Sequence, residues 1–149
     1  LTTGAWCYYN NDPSNNATYG KLYNWYAVND PRGLAPNGHR IPSDAQWSTL
    51  STCLGGYAVA GGKMKETGTT HWASPNTAAT NSSGFSGLGG GHRATISGFT
   101  GTLKFYGIWW RSLEDNGYAT VIFLTSGYGY IGSTSYILTQ GVSVRCVRD

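Results

Sequence analysis

Between Leu113 and Gln140 the chain has no Lys, Arg, Pro, Trp or Cys, and hydrophobic framework stands on either side. Gly107-Ile108-Trp109-Trp110 precedes the stretch and Gly141-Val142-Ser143-Val144-Arg145-Cys146-Val147-Arg148 follows it. Its residues are Tyr, Gly, Ser and Thr with scattered aliphatics, and Tyr118 to Leu124 and Tyr136 to Leu138 have the β-branched and aromatic content of strands. A merely flexible Gly/Ser loop would lack those runs. The expected strands are 106–111, 118–124, 134–138 and 142–148, a C-terminal meander. Tyr gives rigid amphipathic contact area at low entropic cost, and Ser and Gly give adaptable hydrogen bonding. Such a palette, held at both ends, suits a recognition surface at about 111–140.

Upstream, Ala5-Trp6-Cys7-Tyr8-Tyr9 reads as a short strand. Tyr19, Leu22, Tyr23 and Tyr26 recur at helical spacing, which predicts a first helix over 17–28, stopped by Asp30-Pro31. Ser43 with Gln46 three residues on makes a capping box for a second helix over 43–54, with Trp47, Leu50 and Leu54 on one face and Gly55-Gly56 at its end. The polar region 61–104, with Gly61-Gly62 and Gly89-Gly90-Gly91, should hold little regular structure except strands near its C-terminus. This order predicts an α+β domain, two helices packed on one antiparallel sheet that brings 5–9 near 142–148.

A chain of 149 residues suits a single domain, 1–149, around one hydrophobic core. Charged residues are 11% and aromatics 14%, the balance of a loop-rich globule with an aromatic core and not of a disordered tail. Trp6, Trp25, Trp47 and Trp109 are the expected core rings. The net charge of +3 is dispersed, so nothing marks a nucleic-acid partner, and no apolar run is long enough to span a membrane. The start Leu1-Thr2-Thr3-Gly4, without Met, is that expected of a processed C-terminal part of a larger protein. Cys7, Cys53 and Cys146 are an odd count with no C-x-x-C pair, so no zinc site and no cofactor is expected.

Several blocks resemble one family: Tyr19-Gly20-Lys21-Leu22-Tyr23-Asn24-Trp25, Ile41-Pro42-Ser43-Asp44-Ala45-Gln46-Trp47, Ala60-Gly61-Gly62-Lys63-Met64-Lys65-Glu66, Asn81-Ser82-Ser83-Gly84-Phe85-Ser86, Trp109-Trp110 and the terminal Ser143 to Asp149. In this order they resemble the Fibrobacter succinogenes major paralogous domain, common in Bacteroidetes-type surface proteins. The resemblance implies a C-type lectin-like fold, distantly similar to formylglycine-generating enzymes, with a long structured loop and one binding face. Gly38-His39-Arg40 stands where the family usually has Gly-Trp-His, Ala35 where a cysteine is frequent, and Cys53 where none is usual. Bridges Cys53–Cys146 and Cys7–Cys146 both remain open.

The expected function is non-catalytic recognition. The resemblance further implies a variable protein of a diversity-generating retroelement, which rewrites adenines in codons of a C-terminal segment. Asn codons randomised at adenine never yield Lys, Gln, Glu, Trp or Met, and Asp115 to Leu138 stays within the reachable set. The expected ligand-binding residues are Trp110, Arg111, Asp115, Asn116, Tyr118, Thr120, Ile122, Tyr128, Tyr130, Ser133, Ser135 and Tyr136. The four tyrosines, with Asp115 and Asn116, should converge on one exposed face, and Trp110 should line its floor. The expected partner is a protein or glycan on a cell or phage surface, bound by a monomer outside the cell, at the cell surface or on a virion. A glycan-binding module without diversification is the alternative. Calcium-dependent sugar binding fits poorly, because Ser74-Pro75-Asn76 lacks the acid and Glu114-Asp115 are the only adjacent carboxylates. An oxidase like the formylglycine-generating enzymes fits poorly too, since no cysteine lies between Trp110 and Gln140. His39, His71 and His92 fall in separate loops, and Gly89-Gly90-Gly91 lacks the strand-to-helix context of a phosphate loop.

Overall fold

The computed structural model describes residues 1–99 and 101–149. Strand β1 (Trp6–Cys7) pairs antiparallel with β2 (Leu22–Tyr23), and between them lie two 3-10 turns and the single-turn helix α1 (Asn16–Tyr19). The helix expected over 17–28 is therefore broken. Gly20, at φ +72°, ends α1. Tyr23 then exchanges backbone hydrogen bonds with Val142 at 2.8 and 3.0 Å, a strand pairing that a helix cannot make. Asn24 restarts the helix as α2 (Trp25–Val28), its carboxamide oxygen accepting from the Ala27 amide. That oxygen also accepts from the Ala5 amide, and the amide nitrogen of Asn24 donates to the Thr3 carbonyl, so one buried side chain fastens the N-terminal strand. Residues 5–9 thus reach the C-terminal segment through β2.

Strand β3 (His39–Arg40) pairs with Val147–Arg148 near the C-terminus. Helix α3 (Asp44–Cys53) opens with the capping box: the Gln46 amide donates to Ser43 Oγ, and the Ser43 amide donates to Gln46 Oε1. Gly55 and Gly56, at φ +98° and +91°, supply the left-handed exit and lead directly into α4 (Tyr57–Met64).

The sequence patterns do not predict α4, because Gly61-Gly62 reads as a break. Within the helix the two glycines allow close approach of other backbone. A Cβ at 61 would stand 2.2 Å from the Tyr130 carbonyl oxygen, and one at 62 would stand 2.4 Å from that of Ala78. From Lys65 to His92 the chain has little regular structure, as expected. The hairpin β4 (Arg93–Ala94) and β5 (Gly98–Phe99) follows.

The main sheet is antiparallel, ordered β6 (Tyr106–Asp115), β7 (Tyr118–Thr125), β8 (Gly132–Ile137). Of the strand expected at 142–148, only β9 (Val147–Arg148) is regular; Val142 and Ser143 make single bridges to Tyr23 and Trp109. The architecture is mixed α/β and, among the described residues, has one three-stranded sheet and three two-stranded ribbons in place of a single sheet.

Alternation along β7 gives this sheet two buried faces. On one, Trp109, Ile122 and Leu124 join Trp47, Ala60, Met64, Trp72 and Ile131 from α3, α4 and the loops. On the other, Ile108, Trp110, Ala119 and Val121 meet Trp25, Val28 and Val142. Trp25, Trp47 and Trp109 are core, as expected. Trp6 is not: it is 51% exposed, and the Lys21 ammonium lies over its ring. Cys7, Cys53 and Cys146 are all free, so neither bridge left open by the sequence forms.

Candidate binding face

The hairpin β6–β7 closes on Asn116-Gly117, with Asp115 opposite Tyr118 and positive φ at both turn residues. This is the Asn-Gly signature of a tight primed turn. It extends β6 past Arg111, where the sequence reading ends it, and leaves Asp115 and Asn116 exposed at the tip. Register then sorts the segment by face. Tyr118 lies opposite Ile137, Thr120 opposite Ser135 and Ile122 opposite Ser133, so these six share one face. On that face Tyr118, Ser135 and Ser133 are exposed and Thr120 is partly so, while Ile122, opposite Ser133, is buried.

Two expected site residues belong to the core. Trp110 is fully buried, its indole N–H donates to the Tyr23 carbonyl at 2.7 Å, and its ring stands edge-on to Trp25. Ile122 is buried beside Trp109 and Leu124, because position 122 lies where the two-residue period turns inward beneath α3 and α4. Arg111 is also nearly buried. It forms an ion pair with Asp44 at the start of α3 and donates to Ser133 Oγ at 3.0 Å, while Ser133 Oγ donates to the Val121 carbonyl. Its guanidinium therefore fixes α3 to the third strand and is not free for a ligand.

The four tyrosines do not converge. Tyr118 stands at the Asn116 end of β7. Tyr128 and Tyr130 occupy the β7–β8 loop beyond its other end, roughly 23 Å away at about 3.3 Å per strand residue. Their rings stack at 5.2 Å and 31°, both exposed. Tyr136 points to the opposite face of the sheet, half-buried, against the His92 ring and the edge of Trp110.

Framework atoms hold the backbone of the β7–β8 loop. The Lys65 ammonium donates to the carbonyls of Thr77, Thr125 and Tyr128, each at 2.8 Å. The Gly62 amide donates to the Gly129 carbonyl, the Ile131 amide to that of Tyr57, and the Thr77 amide to that of Ser126. Burial pushes the Lys65 pKa down to about 8. The sequence gives no sign of this role, since a lysine among Gly-Gly-Lys-Met-Lys reads as surface.

Beside Tyr136 opens a cleft of about 560 Å³. Framework residues His92, Thr102, Tyr106 and Ile108 form one part of its lining, and Phe123, Ser133, Thr134 and Tyr136 of the 113–140 segment form the other. Of these the sequence reading selects only Ser133 and Tyr136. The alternation that placed Phe123 in a strand could have assigned it to the same face as Tyr136. Burial lowers the pKa of His92, and burial, with the neighbouring Tyr106 adding to it, raises that of Tyr136. His71 lies elsewhere, with Nδ1 at 2.7 Å from Glu66, a partner the sequence spacing did not suggest.

Among the described residues, no group of three or more His, Cys, Asp or Glu could hold a metal ion. Nor is any described helix long and apolar enough to cross a membrane. The class defined is a small mixed α/β domain whose antiparallel main sheet carries its C-terminal segment on a packed framework. The family model described as the Fibrobacter succinogenes major domain matches residues 1–148, and the chain belongs to that family. Comparison with curated proteins and with solved structures found no match.

Proposed function

We propose that this domain is a non-catalytic recognition module whose ligand meets side chains of the 113–140 segment. The observation that carries the reading is how the β7–β8 loop is held. Lys65, Gly62, Tyr57 and Thr77 all bond its main chain or the residues flanking it, and none of these bonds uses the side chain of Tyr128 or Tyr130. A framework that grips backbone tolerates change in the side chains it displays. From Asp115 to Leu138 the exposed residues, among them Asp115, Asn116, Tyr118, Tyr128, Tyr130 and Ser135, lie within the set that adenine-randomised Asn codons reach, which supports a retroelement variable protein whose diversified stretch begins after the exposed Glu114. In this reading the fold is a branch of the C-type lectin fold. The domain acts as a monomer at a cell or virion surface, with a protein or glycan as its ligand.

The test is to exchange residues 113–140 for the segment of a paralogue and to measure folding and binding separately. Retained folding with altered ligand preference is the expected outcome. Loss of folding would show that the segment is core as a whole and would end the proposal.

A further inference from the structure

The two edges of the main sheet are finished differently. Along the outer edge of β6 the chain returns, and the Trp110 amide donates to the Ser143 carbonyl at 3.2 Å. The outer edge of β8 has no paired strand among the described residues. Parity decides which of its groups turn outward. The Ser126 amide donates to the Phe105 carbonyl at 3.0 Å, one step beyond the pair Tyr106 and Thr125. Successive residues of an antiparallel strand turn their main-chain groups to opposite sides, so Phe123, Val121 and Ala119 of β7 turn theirs to β8. Their partners there are Gly132, Thr134 and Tyr136. Ser133 and Ser135 therefore present amide and carbonyl away from the sheet, and among the described residues no main-chain group bonds them. Both ends of this strip are tied: the Ile131 amide donates to the Tyr57 carbonyl, and the carbonyls of Ile137 and Leu138 accept from the Gln140 and Trp25 amides. Ser133 to Ser135 are exposed between them. Open edges are ordinarily blunted by a lysine, a proline or a bulge. Strand β8 has none of these; it carries no charge and runs in unbroken register with β7.

Groups on one side of a strand recur about every 6.8 Å, and another extended main chain has complementary donors and acceptors at that repeat. The register adds a second contact. On an added strand, the residue opposite Thr134 places its side chain on the face of Thr134 and Tyr136, beside the cleft of about 560 Å³. That cleft has the rings of Tyr106, Phe123 and Tyr136 in its lining and no formally charged side chain, so a charged group would lose its hydration there uncompensated. In a two-fold pair of β8 strands centred on the strip, the residue opposite would be the Thr134 of the other copy, too small to fill such a volume. A foreign segment with a larger apolar side chain fits both features. We infer that the β8 edge takes up an extended segment of a protein partner as a fourth strand, with an uncharged apolar side chain opposite Thr134 seated in the cleft. The inference rests on the recognition reading above and selects a protein among its ligands. The main-chain bonds do not depend on which side chains the 113–140 segment carries. Substitution along it changes the peptide preferred and keeps the mode of binding.

The experiment titrates the isotope-labelled domain with acetylated, amidated peptides Thr-Val-Thr-X-Thr-Val-Thr, where X is Leu, Phe, Tyr or Asp. At least one uncharged member should shift the Ser133 and Ser135 amides saturably and slow their exchange, at concentrations on the order of 1 mM. The Asp peptide should bind at least about tenfold more weakly. N-methylation of the two threonines flanking X removes the amides that face β8 and should weaken binding at least about tenfold. N-methylation of the two valines, whose amides point away, should leave it within about twofold. Ser135→Pro, a change that an outward-facing edge position admits, should abolish the shifts. If that variant fails to fold, the two N-methyl patterns decide alone. No protection of Ser133 and Ser135 by any of the four peptides would overturn the inference, and so would equal loss from both N-methyl patterns. Protection that grows with domain concentration in the absence of peptide would also overturn it, by assigning the edge to a second copy. A segment exchange that redirects a ligand while the peptides leave the edge untouched removes this inference and leaves the recognition reading standing.

Discussion

The Lys65 ammonium donates to the Tyr128 carbonyl across 63 residues of chain, and its other two protons go to the carbonyls of Thr77 and Thr125. One side chain thus joins the long loop, the end of β7 and the β7–β8 loop. Lys65→Met should leave three carbonyls without this donor, at about 1–3 kcal/mol for each that stays unsatisfied. We expect a total loss of at least about 3 kcal/mol in denaturant melts. A loss below about 1 kcal/mol would mean that water replaces the ammonium without cost.

Lys65 also predicts a pH dependence. Its pKa is about 8 in the folded chain and near 10.5 when unfolded. Between those values the unfolded chain holds a proton that the native state has released, so raising pH favours the native state. This contribution is complete above the unfolded pKa and is lost as pH falls through the folded one. The stability gap between wild type and Lys65→Met should therefore widen from pH 8 toward 10.5, and the comparison cancels the tyrosine and cysteine titrations common to both. A gap that narrows as pH rises would show that the three carbonyls hold the charged form more strongly than burial opposes it.

Gly61→Ala separates helix propensity from close approach. In an exposed helix this change stabilises by about 1 kcal/mol. Here the new methyl would stand 2.2 Å from the Tyr130 carbonyl oxygen, so the β7–β8 loop must move. Destabilisation by about 2 kcal/mol or more is expected, with shifted amide resonances at 128–131. A stabilised variant with unchanged spectra would refute the contact.

The legible parts of the fold were those written in local chemistry. Ser43 and Gln46 complete a capping box within four residues, and Ser43→Ala should cost about 1 kcal/mol in melts. What the sequence did not disclose depends on distant neighbours. Leu22 and Tyr23 have helical spacing but are drawn out by Cys7 and Val142. Gly61 and Gly62 resemble a helix break until Tyr130 and Ala78 are seen against them. In the candidate site, composition marks out a segment whose hairpin tip and β7–β8 loop are exposed. It cannot separate the two faces of β6 and β7, because a strand buried on both faces shows no polar alternation to read. Trp110 and Ile122 were misplaced for that reason.

Ile122 and Ser135 test the corrected division of the segment most directly. Both are in the main sheet and both were expected to meet a ligand, but Ile122 is 1% exposed among Trp109, Leu124 and Ile131, and Ser135 is open to solvent. Ile122→Ala removes three carbon atoms from a filled core and should cost about 2–5 kcal/mol, the range set by how far Trp109 and Met64 can close the gap. Ser135→Ala should stay within about 0.5 kcal/mol. Tyr128→Ala belongs with the second class, at less than about 1 kcal/mol, and Trp47→Ala with the first, at about 3–5 kcal/mol. Denaturant melts of the four variants provide the check, with unchanged m-values to establish that the same unfolding is compared. If Ile122→Ala proved as mild as Ser135→Ala, the inward face of β7 would be part of a tolerant surface after all, and the whole segment, not its edge and loop, would be available to a ligand.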